Sequence, residues 1–466
     1  MTKNKISRRK FITNIGKIGL GATAFSSMLS MKSLANSLIS SPNFGDDYKV
    51  LVCFFKAGGN DSFNMLMPLG TEYQMYKETR SNLAIDKNEI LPINATNVGN
   101  RKFGLHPSMP EIQSIFNKGK MAFISNIGTL IQPTTAEQAY DESVSLPLGL
   151  FSHVDQAQEW MTGKPHERVI KGWGGRIADN MKSLNADNTV SMNISLSGTN
   201  IFQNGDNTIE FSIGVEDEAP GIIGYGNDSW NNYNEALTNG IDSLLDHQYS
   251  DPFKQSYVNV IKDSKLAIEK YNNAINETED LDTVFSGNYV SQVFKAIAKM
   301  IKANNLLGFK RQIFFVEYGG WDHHDELLDN QSGMLRDVSL GFGEFDEAMT
   351  ELNMQDSVTT FSMSEFGRTL TSNGNGTDHA WGGNVMVMGG AVNGKKIYGD
   401  YPTLNLDNPR MLWDGVLVPT LSTDEYFAEL VQWFGAQNSL ISDLFPNIAN
   451  FYDVNSAQKP IGFMNY

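Results

Sequence analysis

Residues able to do metal or acid–base chemistry gather at a few places in this 466-residue chain. Asp61 follows Gly58-Gly59-Asn60, Asp322 and His324 follow Gly319-Gly320-Trp321, and Glu365, Asp378 and His379 lie within one stretch from Ser364 to His379. Carboxylates and imidazoles are the oxygen and nitrogen ligands of divalent ions, and carboxylates converging without a cation would repel one another. One or two divalent metal ions (zinc, magnesium, manganese or calcium) would resolve that repulsion. The chain has seven histidines, and four of them, His153, His323, His324 and His379, fall in these segments or beside Ser152. Ser152 opens the helical run SHVDQAQEW. A hydroxyl there faces free N–H groups and the positive end of the helix dipole, which suits a nucleophile; with Asp155 it also reads as a plain capping pair. His106 reads as a packed histidine.

The elements that must position these residues are apolar, β-branched runs. Residues 48–56, 312–318 and Val358–Met363 each predict a buried strand, and each ends where a polar segment begins. In open α/β sheets, ligands sit beyond the carboxyl ends of such strands. Ser108 and Glu111 predict a capping box opening a helix, followed by a strand over 121–127. Residues 189–213 predict a hairpin, 215–234 an irregular polar insertion, and 255–276 and 290–304 two amphipathic helices. Leu335, Val338, Phe342, Phe345, Met349 and Leu352 share one face of a long helix. Residues 385–388 read as a short strand and 389–401 as a loop or hairpin, before a last helix boxed by Ser422 and Glu425 and stopped by Gly435.

Composition sets the class. A formal net charge of −17, with Lys3, Lys5, Arg8, Arg9, Lys10, Lys17 and Lys32 all in the first 35 residues, leaves an acidic body. That excludes sequence-independent binding to nucleic acid or to an anionic membrane. The single cysteine, Cys53, lies in an apolar run and cannot form an internal disulfide. Ser7-Arg8-Arg9-Lys10-Phe11-Ile12, a weakly apolar Gly/Ala/Ser-rich segment and Ser33-Leu34-Ala35 match a twin-arginine export signal with a cleavage site. The expectation is a signal peptide over 1–35, a linker over 36–47 and one α/β domain over 48–466 with an insertion near 197–235. Such a protein would meet the twin-arginine translocase, reside in the periplasm or be otherwise exported, and keep no stable membrane span.

The succession of strand, glycines and Asp, then a Ser-led helix, then Asp-x-His and a late Asp-His resembles the alkaline phosphatase superfamily. More closely, GGNDSFN, LHPSM, SHVDQAQEW, GWGGR, GGWDHH, SEFGRT and TDHAWGG resemble the twin-arginine-exported bacterial family called domain of unknown function 1501. The resemblance implies a three-layer α/β/α sandwich with a central mixed, mostly parallel sheet, two metal ions and a hydroxyl nucleophile. On this chain it implies Asp61 as the first-strand ligand, Ser152 as nucleophile, Asp322 and His324 as ligands of one metal, and Glu365, Asp378 and His379 as the late cluster. Arg368 or Arg176 would hold an anionic oxygen, since guanidinium matches phosphate and sulfate geometry. Ser62 and Thr134 are alternative hydroxyls. The chain departs from the superfamily in its short Asp322-x-His324 spacing, in Phe366 where an Asp-His pair is usual, and in lacking the sulfatase cysteine signature. The implied activity is metal-dependent hydrolysis or transfer of a phosphate or sulfate ester, on a small molecule or a glycan. The alternative is a non-catalytic, metal-stabilised binding or assembly protein of the cell envelope.

Overall fold

A computed structural model describes residues 48–215, 219, 221–222, 225–226 and 232–466. The expected signal peptide and linker, 1–47, lie outside the described residues, as do 216–218, 220, 223–224 and 227–231 of the expected insertion. In chain order the strands are β1 (Lys49–Ala57), β2 (Leu66–Leu69), β3 (Leu91–Ile93), β4 (Lys102–Leu105), β5 (Met121–Gly128) and β6 (Asn193–Ser195). They continue with β7 (Phe211–Ser212), β8 (Arg311–Gly319), β9 (Val358–Met363), β10 (Gly383–Met388), β11 (Lys396–Gly399) and β12 (Leu421–Ser422).

The main sheet runs β11-β5-β10-β9-β1-β8-β6-β7, with β12 also on β5, and β2, β4 and β3 form a small separate sheet. Among the described residues of the main sheet, β10 alone runs against its neighbours and the other pairings are parallel. The fold is therefore α/β with a mixed, mostly parallel central sheet. Its middle strand has no polar face, because both sides are covered. Phe54 meets Phe294 at 6.0 Å and Phe342 at 5.5 Å, from the helices Tyr289–Lys302 and Leu327–Glu351. Cys53 points the opposite way by strand alternation, and its lateral partner Phe361 meets Trp173 at 5.7 Å and Tyr426 at 6.2 Å, from the helices Trp173–Met181 and Thr423–Phe434. Cys53 is fully buried, as a structural thiol would be.

Register levels the strand ends. Ala57 lies opposite Gly319 and Phe55 opposite Met363, so the segments beginning at Gly58, Gly320 and Ser364 leave the sheet side by side.

Local reading fails where distant groups compete for the same polar atoms. The expected hairpin over 189–213 is instead a crossover: β6 and β7 pair in parallel, and Gln203 in the connection donates to the carbonyls of Ile194 and Ile313. Residues 389–401 do not form a hairpin, since β11 pairs in parallel with β5. The Ser108–Glu111 box does not form. Met109 is the N-cap, Ser108 Oγ pairs with Ser332 Oγ, and Glu111 accepts from Arg336 and Ser339 at 2.6 and 2.7 Å. A helix over Asn232–Asp246 begins inside the segment expected to be irregular. The Ser422–Glu425 box does form, and Gly435 ends that helix in the left-handed conformation. Among the described residues no helix is long and apolar enough to cross a membrane.

Candidate metal centre

Glycines bring the strand-end loops into backbone contact. Gly58 has φ +125°, and a Cβ there would stand 2.5 Å from the backbone nitrogen of Asp322. A Cβ on Gly59 would stand 2.3 Å from the Phe366 ring. Any other residue would push apart the loops that carry Asp322, Phe366 and Arg368.

The contact closes a cluster of three imidazoles around one carboxylate. His324 Nε2 lies 3.0 Å from Asp322 Oδ1 and 3.0 Å from His379 Nε2. His379 Nε2 lies 3.3 Å from Asp322 Oδ1, and His153 Nε2 lies 3.4 Å from Asp322 Oδ2. Phe366 wedges the rings, its centroid 4.8 Å from that of His153 and 4.7 Å from that of His379.

The opposite ring nitrogens decide what the Nε2 atoms offer. His153 Nδ1 is 2.9 Å from Glu365 Oε1, His324 Nδ1 is 3.1 Å from Asp378 Oδ1, and His379 Nδ1 is 2.8 Å from the Phe151 carbonyl. These oxygens accept: Glu365 Oε1 also takes the Gly58 N–H, and Asp378 Oδ1 takes the Asn373 amide. Each Nδ1 is therefore the donor, and in the neutral ring each Nε2 carries a lone pair. Three lone pairs and a carboxylate then face one another; Arg368 offsets part of that repulsion, with one terminal nitrogen 3.4 Å from His324 Nε2 and the other on Asp322 Oδ1, and a bound cation would offset the rest. Donation of the outer nitrogen to a carboxylate or carbonyl is the usual way a protein orients a metal-binding histidine. The 3.0–3.4 Å separations also approach the edge, about 3.3 Å, of a tetrahedron with metal–ligand bonds of ~2.0–2.1 Å. His153, Asp322 and His379 can bring one ligand atom each within 4.8 Å of the others. The residues thus fit a metal ion.

Electrostatics agree with that role. Burial opposes ionisation of Asp322, but the Arg368 guanidinium, by hydrogen bond and charge, with His324 and His153, holds its carboxyl down at about 2. The Glu365 hydrogen bond raises the His153 pKa against the effect of burial. Burial lowers that of His379. A proton on His153 and a metal at the centre would compete for one lone pair.

The other expected residues fall into different places. Glu365 and Asp378 sit behind the histidines, orienting rather than facing the Nε2 cluster. Asp61 lies outside it, 1% exposed and paired with the fully buried Arg80, which also donates to the carbonyls of Thr369 and Leu370. Arg368 is at the cluster, with its donors taken: Nε by Gly59 O, one terminal nitrogen by Thr377 O and His324 Nε2, the other by Gly58 O and Asp322 Oδ1. No N–H remains for a substrate anion. Arg176 binds the Thr162 carbonyl at the far end of the helix His153–Thr162, roughly 14 Å from its start, and burial lowers its pKa to about 10.

Ser152 caps that helix, accepting the Asp155 N–H at 3.4 Å, immediately before His153. Ser62 Oγ accepts the Asn384 N–H in the core, and Thr134 Oγ1 donates to Gln132 O. His323 is buried, and burial lowers its pKa. His106 is buried too, its Nδ1 accepting the Ser108 N–H, and burial lowers its pKa to about 4. In the sequence His153 carries no ligand signal beyond its place directly after the helix-capping serine.

Solved structures with weak likeness include that of Ps i-CgsB in complex with k-i-k-neocarrahexaose, 10% identical with a TM-score of 0.32, covering 87% of this chain and 77% of that one. Another is the integral membrane protein lipooligosaccharide phosphoethanolamine transferase A from Neisseria meningitidis, 9% identical with a TM-score of 0.34, covering 93% and 71%. TM-scores this low establish no shared chemistry. No curated protein matches the chain. The family described as "Protein of unknown function (DUF1501)" matches residues 48–414. The chain belongs to that family, and the matched region holds all four residues of the centre.

Proposed function

We propose that this chain is an exported, metal-dependent hydrolase or transferase acting on a phosphate or sulfate ester. The observation that carries the reading is the convergence of three imidazole Nε2 atoms on Asp322, each ring with an acceptor at Nδ1. His153, Asp322, His324 and His379 would hold the ion, and a nitrogen-rich set favours zinc or a neighbouring transition metal over magnesium or calcium. Bound there, the ion would act as a Lewis acid on an ester oxygen. Glu365, Asp378 and the Phe151 carbonyl hold the rings in the binding tautomer. Arg368 offsets the charge of Asp322 and fixes its orientation. The helix N-terminus capped by Ser152 presents a positive dipole end beside His153, suited to an anionic ester. Export through the twin-arginine route by residues 1–35 belongs to the same proposal.

The test is metal analysis of protein purified without chelator, beside a screen of aryl phosphates and aryl sulfates, for the natural chain and His379→Ala. Stoichiometric metal and turnover, both lost in the variant, are the expected result. Absence of metal from the natural chain overturns the reading. A second reading has one observation in its favour. The Arg368 donors are all engaged, and among the described residues no other guanidinium is hydrogen-bonded or ion-paired to the cluster, as in a metal-stabilised binding protein without turnover. Bound metal with no hydrolysis of any ester, unchanged by Ser152→Ala, would select it.

A further inference from the structure

A pocket of about 410 Å³ shares Phe151 with the centre and is lined by Val144, Leu146, Leu150, Phe151, Trp381 and Trp413, with Glu142 as its charged side chain. That volume lies within the usual range for small-molecule sites. Phe151 belongs to both places. Its carbonyl accepts His379 Nδ1, while its ring lines the pocket and meets Trp413 edge-on at 5.7 Å. It does so from φ +70°, which an L residue with a bulky side chain rarely adopts. Glu142 in the pocket wall and Asp414 beside Trp413 also have positive φ, at 49° and 48°. Such conformations persist where surrounding structure over-determines them, and they concentrate at binding and active sites. Trp381 lies two residues beyond His379 and anchors its indole N–H on the Thr129 carbonyl. Beneath the pocket, Trp381, Ala380, Val416 and Val418 form a small apolar cluster separate from the main core. Trp413 is 48% exposed at the mouth.

We propose that this pocket binds the organic group of the ester at the metal centre, and that this group is apolar and aromatic, an aryl ring rather than a sugar. The proposal rests on the ester reading above. A sugar here would meet side-chain hydrogen-bond groups at Glu142 and the Trp413 indole and would otherwise depend on backbone groups of the lining, and each hydroxyl buried without a partner weakens binding. An aryl ring loses nothing of that kind and gains edge and face contacts with Trp413, Phe151 and Trp381. The carbonyl of Phe151 ties the pocket wall to a ring of the centre, so an ester with its anionic head at the cluster has its organic group directed along Phe151.

The experiment is calorimetric titration of the metal-loaded chain with two non-hydrolysable probes, 2-naphthylphosphonate and methylphosphonate. Trp413→Ala should weaken naphthylphosphonate about tenfold and leave methylphosphonate within about twofold. Leu150→Trp, which fills the pocket, should do the same, and thermal melts of both variants check that they fold. Equal affinity of naphthylphosphonate for the natural and variant chains, or an equal loss for both probes, overturns the proposal. His324→Ala, which removes a ring of the centre that does not touch the pocket wall, separates the two readings. If the metal centre is not the anion site, neither probe responds to His324→Ala, whereas the Trp413 dependence of naphthylphosphonate remains. If the pocket is not the aryl site, both probes respond to His324→Ala and neither to Trp413→Ala.

Discussion

Two neighbouring strands lead into nearly the same words, Gly58-Gly59-Asn60-Asp61 beyond β1 and Gly319-Gly320-Trp321-Asp322 from the last residue of β8, and the two aspartates meet opposite fates. Asp61 is sealed in the core against one guanidinium. Arg80, also sealed, spends its other donors on Asn64 and on the carbonyls of Thr369 and Leu370. Asp322 is 44% exposed by side chain and surrounded by three imidazole Nε2 atoms as well as Arg368. Both carboxylates have a guanidinium partner, and for Asp61, sealed from solvent, that pair is a structural tie between loops. Asp322 differs in being part-exposed and in sharing its oxygens with imidazole nitrogens as well, which makes it the core of a site open to a metal. The chemistry of a strand-end carboxylate is thus set by what faces it, not by the local turn that presents it.

That contrast breaks most severely at Arg80. Arg80→Met leaves the Asp61 charge buried without its partner and should destabilise the chain by about 3–5 kcal/mol, read by denaturant unfolding. A loss under about 1 kcal/mol would mean that Asp61 is not held by that pair. At the other aspartate the ordering reverses. His324→Ala or His379→Ala should weaken metal binding more than about 100-fold while changing metal-free stability little, because the removed rings are part-exposed. Calorimetric metal titration beside thermal melts of chelated protein measures both. Asp378→Ala removes an acceptor behind His324 and should weaken metal by about 10–100-fold, a smaller effect than loss of a ring.

Acidity sharpens the same difference. Because Glu365 raises the His153 pKa, protons compete with metal at the centre in a pH range shifted upward from that of an ordinary histidine. Metal affinity should fall as pH drops through that range, with proton uptake visible in titrations run in two buffers; an affinity flat between pH 8 and 5 would remove His153 from the ligands. The smallest effect concerns a carboxylate with neither kind of partner. Burial raises the Glu159 pKa to about 8, opposed by the Thr129 hydroxyl at 2.7 Å. In the unfolded chain the group ionises near the ordinary glutamate value, so between that value and about 8 the folded state binds more protons and stability declines as pH rises. Glu159→Gln should therefore stabilise at pH 9 by on the order of 1 kcal/mol and leave stability unchanged at pH 4. Thermal melts at the two pH values would show the difference.

The residues of the centre were legible only in part. Asp322, His324 and His379 stood out because rare imidazoles beside a carboxylate follow apolar runs. Glu365 and Asp378 were legible as members of the cluster but not as supports behind it, because an acid that binds a metal and one that orients a histidine look alike in a sequence. His153 went unassigned because its helix begins as any capped helix does. Arg80 carried no signal at all: an arginine in a surface-like helix, 19 positions from Asp61, becomes its partner only when the chain closes.

By itself the sequence determined the buried strands β1, β8 and β9, the glycine-led turns beyond them, the Ser422–Glu425 cap and the residue types offered at each strand end. These follow from side-chain period, β-branching and local hydrogen bonding, all of which act over a few residues. Tertiary structure alone decided the parallel pairing of β6 with β7 and of β11 with β5, the partner of each aspartate, and the outward-facing nitrogen of each histidine. Those depend on atoms tens to hundreds of positions apart competing for the same lone pairs and hydrogens, and that competition is settled only when the strand ends stand side by side.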